Sequence, residues 1–174
     1  MSYPFRLEQL HDRHDRMAFS CGEESLDGYI RTQATQDIRR RVASCFVAVE
    51  AATESLGGWY TIASASIPTP DLPPEITKRL PRYPALPAVR IGRLAVDLRF
   101  RGRGLGSALL ADAVERTLKA PPATYTLLVD AIDEKASAFY RHHGFQPLAG
   151  KPLTLFLPLA TAEKCLVRPG RQAG

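Results

Sequence analysis

The residues with the clearest chemical potential lie between Arg101 and Ser107, where three glycines alternate with arginine, leucine and serine. This stretch follows an apolar, β-branched run over 89–97 that predicts a strand, and it precedes a segment with helical periodicity. In such a strand-to-helix turn, consecutive backbone N–H groups point into one concavity, and the helix N-terminus adds about half a positive charge. The sequence therefore predicts a turn that binds a pyrophosphate through its backbone.

Two familiar glycine-rich turns do not fit this spacing. A P-loop requires Lys-Ser or Lys-Thr after its last glycine, and a dinucleotide fingerprint requires the spacing G-x-G-x-x-G. With Arg101 first and Gly104 and Gly106 following, the stretch resembles motif A of the GNAT N-acetyltransferases, Arg/Gln-x-x-Gly-x-Gly/Ala. In that family the turn holds the pyrophosphate of coenzyme A. The resemblance implies cofactor contacts from Arg101, Gly102, Arg103, Gly104, Leu105, Gly106 and Ser107.

A second motif supports the same resemblance. Residues 136–145 match the family's later signature, A-x-x-F-Y-x-x-x-G-F, at the expected distance after motif A. The resemblance implies acetyl-CoA as cofactor, with its pantetheine arm paired to the strand backbone at Leu94, Ala95 and Val96. Many relatives carry asparagine where Asp133 stands. An acid there can still cap the following helix, but the case for its contact with the cofactor is weaker.

Tyr140 is the predicted catalytic residue. The family places a tyrosine here beside the sulfur of the cofactor, and acyl transfer must return a proton to the departing thiolate. A phenol with a pKa of ~10 stays protonated at neutral pH and can donate to a thiolate whose conjugate acid has a pKa of ~8.5. The alternative is that this ring only packs under the sheet, which is what we expect of the neighbouring Phe139.

The strands that would carry a general base hold no carboxylate. No Asp or Glu occurs in 57–66 or 89–96, where a family member would place one. A lysine side chain with a pKa of ~10.4 needs such a base, whereas an α-amine at ~7.7 to 8 is already substantially neutral. An ester-linked α-amine, as on aminoacyl-tRNA, has lost its carboxylate charge and is expected to be lower still. The sequence therefore favours an α-amine acceptor with a water chain as proton sink.

The chain also resembles the toxin branch of bacterial type II toxin-antitoxin systems. The resemblance rests on four stretches, namely Phe19-x-Cys21-Gly-x-x-x-Leu26-Asp27, Gly58-Trp59-Tyr60-Thr61, 90–97 and Phe139-Tyr140. It implies a toxin that acetylates the α-amine of aminoacyl-tRNA, blocks translation and is neutralised by a ribbon-helix-helix antitoxin, and it leaves a homodimer open. Two other functions stay open. One is an acetyltransferase for a small amine or a protein N-terminus, and the other is a non-catalytic acyl-CoA-binding module, against which Tyr140 argues.

The charge composition agrees with a polyanionic partner. The formal net charge is +5, and 18 of the 23 basic residues are arginine. Guanidinium groups make bidentate contacts with phosphate, although a GC-rich genome would also raise the arginine content. The predicted RNA-binding residues are Arg90 and Arg93 beside the acetyl site, and Arg39, Arg40 and Arg41 at the end of the first helix.

The length of 174 residues predicts a single domain over 1–166, with a loose tail at 167–174. No apolar run approaches ~20 residues and no signal-peptide pattern is present, so we expect a cytoplasmic protein without a membrane span. The three cysteines lack metal-type spacing and are expected to be free, buried thiols. His11 and His14 are expected to lie in a solvated turn, and no metal site is predicted.

Periodicity and turn residues place the remaining elements. The proline-rich stretch at 67–88 is expected to form neither a core strand nor a long helix. The family resemblance implies an α/β GNAT fold, with a mixed, mostly antiparallel central sheet, a splayed central strand pair and flanking helices. The predicted strands are 5–10, 44–50, 56–64, 89–97, 125–130 and 153–157, and the predicted helices are 23–40, 105–118 and 134–142.

Overall fold

The computed structural model describes residues 4–166, in which seven strands form a single sheet. The strands are β1 (Phe5–Gln9), β2 (Ser44–Glu50), β3 (Leu56–Pro68), β4 (Ala85–Val96), β5 (Thr126–Asp130), β6 (Gln146–Leu148) and β7 (Lys151–Pro158). Their order in the sheet is β1-β2-β3-β4-β5-β7-β6. The pairs β1/β2, β2/β3, β5/β7 and β6/β7 are antiparallel, which confirms the predicted fold class.

Six α-helices accompany the sheet in the described part of the chain. They are α1 (Glu24–Gly28), α2 (Ala34–Arg39), α3 (Pro74–Thr77), α4 (Leu105–Lys119), α5 (Glu134–His142) and α6 (Leu159–Leu166). A π turn at Tyr29–Gln33 joins α1 to α2, so the predicted first helix is present but contains one wide turn. Across residues 4–166, none of the helices combines the length and apolar character that a membrane crossing requires.

The chain divides into two compact units. The first unit comprises the residues up to Ala63 together with Ile91–Ala113. Its core is centred on Trp59, which is fully buried and contacts the rings of Phe19 and Tyr29. Around these rings lie further buried residues of the same cluster, Leu10, Cys21, Ile30, Ala34, Cys45, Val47, Val49, Leu56 and Ala95.

The second unit comprises Ser64–Arg90 and the residues from Val114 onwards. Its core contains one cluster of buried apolar side chains from β3, β4, β5, β6 and β7 and the loop after β3. Partly buried side chains, including Tyr125, pack against this cluster. The members of the cluster are Ile67, Leu72, Leu86, Ala88, Leu128, Leu148 and Phe156.

The prediction for the proline-rich stretch was wrong at its end. β4 begins at Ala85 rather than Val89, and Leu86 and Ala88 are buried in the core of the second unit. Pro87 lies between them with its side chain exposed, and its carbonyl accepts a hydrogen bond from the N–H of Tyr125 at 2.9 Å. A proline lacks only the donor, so a strand can contain one wherever just the carbonyl is used.

The remaining expectations are met in part. β6 and α6 were not predicted, and β3 extends to Pro68. His14 is buried rather than solvated, because its Nδ1 accepts from the His11 N–H at 2.9 Å and its Nε2 lies 2.7 Å from a Glu8 carboxylate oxygen. Cys21 and Cys45 are free and buried as expected. The predicted tail at 167–174 and the side chain of Cys165 lie outside the described residues.

Close packing of β3 depends on Gly58, and this dependence is testable. A Cβ atom at Gly58 would lie 2.8 Å from a Leu109 methyl group and 2.9 Å from the Ala95 carbonyl oxygen. We expect Gly58→Ala to lower the free energy of unfolding by about 1–3 kcal/mol, since backbone and core would both have to move. Urea unfolding followed by circular dichroism measures this change.

Gly28→Ala is the matched control for this substitution. Gly28 is helical, with φ −62°, and no atom lies within 4 Å of a Cβ built there. Alanine should therefore stabilise the helix at this position by about 0.5–1 kcal/mol. Equal unfolding midpoints for Gly58→Ala and the unmodified chain would contradict the packing argument.

Candidate active site

The predicted phosphate turn forms in the first unit, between the end of β4 and the start of α4. Gly102 and Gly104 both have φ +75°, a conformation that glycine adopts without steric cost. A Cβ built at either glycine would meet no atom within 4 Å, so the space in front of the backbone is open. The first N–H groups of α4 have no partner within the helix, as at any helix start. This combination of open space, backbone donors and helix dipole suits a pyrophosphate.

A buried carboxylate fixes the approach to the turn. Asp97 follows β4 directly and is only 2% exposed. It accepts hydrogen bonds from the backbone N–H of Ser20 at 3.1 Å and from the backbone and side chain of Arg99, both at 2.9 Å. Burial alone would raise the pKa of Asp97, but these hydrogen bonds hold it below its usual range. The end of β4 is therefore held by an acid that stays ionised at neutral pH.

The segment Phe19–Gly22 is tied to the turn and to the first helix at once. Its carbonyl at Cys21 accepts a hydrogen bond from Arg101 Nη2 at 2.5 Å, and its N–H at Cys21 donates to Asp27 at 2.9 Å. Arg31 Nη2 donates to the Phe19 carbonyl at 2.7 Å. The Arg101 side chain is thus engaged in the fold, and its contact with the cofactor stays a prediction.

The strand segment predicted to pair with pantetheine lies in the same unit. In Leu94–Val96, Ala95 is buried and its carbonyl approaches Gly58. The next N–H, that of Asp97, donates to the Gly57 carbonyl at 2.8 Å. Gly58 in β3 thus allows the backbone of β4 to come close. The pairing with pantetheine itself stays a prediction.

Tyr140 lies on α5 in the second unit. Asp133 caps this helix, because its carboxylate accepts a hydrogen bond from the Ala136 N–H at 2.7 Å. The Tyr140 ring is 6% exposed and packs edge-on against Phe139 and Phe145, with centroid distances of 5.2 and 5.6 Å. Burial raises the pKa of Tyr140 to about 12.

The predicted arginines are distributed over both units. Arg39, Arg40 and Arg41 are exposed at the end of α2, and Arg93 is exposed on β4, all in the first unit. Arg90 lies in the second unit, where its guanidinium forms an ion pair with Asp130. The first unit therefore brings together the turn, the β4 segment and four arginines, and the second holds Asp133, Tyr140 and Arg90.

Sequence reasoning missed the acids that support the site. The sequence marks Asp97 only as the end of a strand motif, and Asp27 only as the end of a helix motif. Asp97 directly follows an apolar run and is 2% exposed, and Asp27 lies in the first helix and is 4% exposed. A buried acid needs several donors. The available signal was that each acid is the last residue of a stretch on which the toxin resemblance rests. Both acids accept hydrogen bonds from the segment Phe19–Gly22.

Comparison with known proteins agrees with this arrangement. The sequence profile of the Acetyltransferase (GNAT) domain matches residues 73–147. The chain is 35% identical over 157 residues to the tRNA-acetylating toxin of Mycobacterium tuberculosis strain H37Rv, covering 89% of this chain and 92% of the relative. It is 34% identical over 164 residues to the protein named Probable toxin TacT of Sinorhizobium fredii strain NGR234, covering 89% and 91%.

Solved structures similar to this chain include three of the toxin AtaT. AtaT complexed with acetyl-methionyl-tRNAfMet superposes with a TM-score of 0.83 at 29% identity, covering 93% of this chain and 99% of AtaT. A tyrosine-to-phenylalanine variant of AtaT, bound to acetyl-CoA and the C-terminus of the antitoxin AtaR, gives 0.78 at 26%, covering 95% and 100%. The AtaT-AtaR complex bound to DNA gives 0.74 at 27%, covering 92% and 99%.

The turn assignment is tested by Gly104→Glu. A carboxylate at this position would enter the space in which the pyrophosphate is expected and repel it, so acetyl-CoA binding measured by calorimetry should weaken at least ten-fold. Gly150→Glu is the control, because Gly150 has φ +74° and equally open surroundings but lies in the β6/β7 connection. Unchanged affinity in Gly104→Glu, or an equal loss in both variants, would reject the assignment.

Proposed function

Because the chain belongs to the GNAT N-acetyltransferases, in the branch of the tRNA-acetylating toxins, we propose that it transfers an acetyl group from acetyl-CoA to the α-amine of aminoacyl-tRNA. Acetylation removes the nucleophile that the amino acid needs for peptide-bond formation, so the product cannot extend a chain. The observation that carries the proposal is the match of 35% identity over 89% of the chain, in a fold that keeps the phosphate turn and Tyr140.

The phosphate turn accounts for the binding of acetyl-CoA. Its backbone donors and the N-terminus of α4 supply positive potential, and Gly102 and Gly104 allow close approach. Arg103 is exposed within the same turn and adds a positive charge. Leu94–Val96 would then pair with the pantetheine arm, which orients the thioester along β4. Both contacts are inferred from the turn geometry together with the family resemblance.

The chemical step requires an acid for the thiolate. The amine nitrogen attacks the thioester carbon, the C–S bond breaks, and the sulfur leaves as a thiolate while the nitrogen loses a proton to water. Tyr140 supports the role of acid because its side chain is buried and its raised pKa keeps the hydroxyl protonated at neutral pH. Because the pKa of Tyr140 is raised to about 12, full proton transfer to a thiolate whose conjugate acid has a pKa of ~8.5 is unfavourable in the unliganded site. Its first contribution is therefore a hydrogen bond to the charge that develops on sulfur.

The strands near the acetyl site suit an acceptor whose amine is already neutral without a protein base. β3 over 57–66 and β4 over 89–96 contain no carboxylate. An α-amine of ~7.7 to 8 or lower supplies enough neutral nucleophile near pH ~7.5 without a protein base. The exposed arginines at 39–41 support a polyanionic acceptor, because free guanidinium groups bind phosphate oxygens.

An antitoxin completes the proposed system. The similar toxin AtaT binds the C-terminus of AtaR, and their complex binds DNA. We infer a ribbon-helix-helix antitoxin for this chain, since a small DNA-binding fold would account for a DNA-bound toxin-antitoxin complex. A homodimer stays a prediction, and a cytoplasmic location follows from the substrate rather than from the fold.

Tyr140→Phe tests the catalytic role. The substitution removes one hydroxyl and little volume, so acetyl-CoA affinity should hold while kcat falls by roughly 10²-fold or more. Acetyl transfer to aminoacyl-tRNA and calorimetry with acetyl-CoA measure the two quantities. Tyr125→Phe is the control, because Tyr125 is a half-buried tyrosine of the same unit that packs on the core. Full activity of Tyr140→Phe would place the acid elsewhere.

The salt dependence of transfer tests the substrate class. Phosphate contacts release counterions, so transfer to aminoacyl-tRNA should weaken steeply as salt rises. Replacing Arg39, Arg40 and Arg41 together by glutamine should make the slope shallower by about one unit for every phosphate that these side chains bind. N-terminal peptides and polyamines serve as controls without phosphate groups and should show no such steep weakening. Preference for those acceptors would reject tRNA as the substrate, and an unchanged slope in the triple variant would reject the phosphate contacts of Arg39, Arg40 and Arg41.

A further inference from the structure

Arg93 occupies an unusual position for a surface arginine. Its guanidinium carbon lies 3.8 Å from the centroid of the Tyr29 ring, and the side chain is exposed. Within residues 4–166 its N–H groups make no hydrogen bond or ion pair. One face of the guanidinium is therefore covered by an aromatic ring, while the rest of the group is available to a ligand.

The support beneath Arg93 is rigid. Tyr29 is 4% exposed, its hydroxyl donates to Asp37 at 2.8 Å, and Gln33 donates to the same carboxylate at 3.0 Å. The Tyr29 ring stacks on Trp59 with a centroid distance of 5.6 Å and an interplanar angle of 21°. We call Arg93, Tyr29 and Trp59 the planar stack. Its orientation is set by the π turn and the core of the first unit, before any ligand arrives.

Trp59 shows that the stack depends on its ring faces. Its indole N–H is buried and has no hydrogen-bond partner among the described residues. An unpaired buried donor costs about 1–3 kcal/mol. A phenylalanine would avoid this penalty but would offer a smaller face to Tyr29. The larger aromatic surface is the property of tryptophan that the position uses.

An ionised acid lies beside Arg93. The pKa of Asp37 is lowered first by hydrogen bonds from Gln33 and Tyr29 and further by the charges of Arg93 and Arg40. Asp37 is therefore ionised beside the stack, and it offsets part of the positive potential of Arg93. A phosphate placed on Arg93 would also meet this carboxylate, whereas the face of a nucleobase would not be repelled by it.

We propose that the planar stack is the platform on which the terminal base of the aminoacyl-tRNA lies, with the base stacked on the open face of the Arg93 guanidinium. Bases of unpaired RNA ends commonly stack on arginine planes. Arg93 directly precedes Leu94–Val96, the segment predicted to orient the thioester, so a base held there would bring its aminoacyl ester to the acetyl group. The proposal rests on the proposed function and replaces the predicted phosphate contact of Arg93.

Arg93→Lys tests the planar guanidinium group separately from its positive charge. Lysine keeps the positive charge but has no planar face, so it cannot replace arginine at a stacked position. The acceptors are an aminoacyl-tRNA, the corresponding aminoacyl-adenosine, and the methyl ester of the same amino acid, which has no base. We expect the preference for aminoacyl-adenosine over the methyl ester, measured as the ratio of kcat/KM, to fall roughly ten-fold in Arg93→Lys. The salt slope with aminoacyl-tRNA should stay as in the unmodified enzyme.

Arg13→Lys is the matched control, because Arg13 is an exposed arginine of the same unit that pairs with Glu8, and its preference should equal that of the unmodified enzyme. An unchanged preference in Arg93→Lys would overturn the stacking platform. A fall in salt slope of about one unit in Arg93→Gln, with the preference between the two small acceptors unchanged, would restore the phosphate contact. Acetylation of the methyl ester without any acetylation of aminoacyl-tRNA would instead overturn the proposed function.

Discussion

The carboxylate of Asp97 is the interaction on which the first unit depends. It stands where β4 ends and the phosphate turn begins, and it takes donors from the segment before α1 and from Arg99. Its own N–H is bound to β3 through Gly57. Without the carboxylate, the partly buried Ser20 N–H would lose its acceptor, and an unpaired buried donor is costly. These contacts fix the end of β4, and they leave the backbone at Gly102 and Gly104 uncovered and open to a ligand.

The three parts of the proposed reaction use three different kinds of interaction. In the proposal, acetyl-CoA is held by backbone donors, whose direction depends on φ angles rather than on side chains. The chemical step uses one hydroxyl that burial keeps protonated. We propose that arginines recognise the acceptor, through the charges of Arg39, Arg40 and Arg41 and through the guanidinium plane of Arg93. Because these interactions are physically independent, a substitution in one part leaves the others measurable.

Local patterns predicted the elements that carry the chemistry. The strand, glycine turn and helix around Arg101–Ser107 were recognisable because glycine spacing and apolar periodicity both depend on neighbouring residues. The capping of α5 by Asp133 was recognisable for the same reason. The sequence did not reveal the stacking of Arg93 on Tyr29, the burial of His14, or the bond from Arg101 to Cys21. Each of these joins residues distant in the chain, or depends on a partner whose position is set by tertiary packing. The start of β4 at Ala85 was not predicted, because proline usually ends a strand. Pro87 lacks only the N–H donor, and the strand uses its carbonyl.

Trp59 gives the planar stack a further property. It is the only tryptophan in the chain, it is fully buried, and its ring lies against Tyr29. Indole emission responds to nearby charges and to changes in ring packing. The intrinsic tryptophan fluorescence of the enzyme therefore reports on the planar stack without a label, because a single ring separates Trp59 from Arg93.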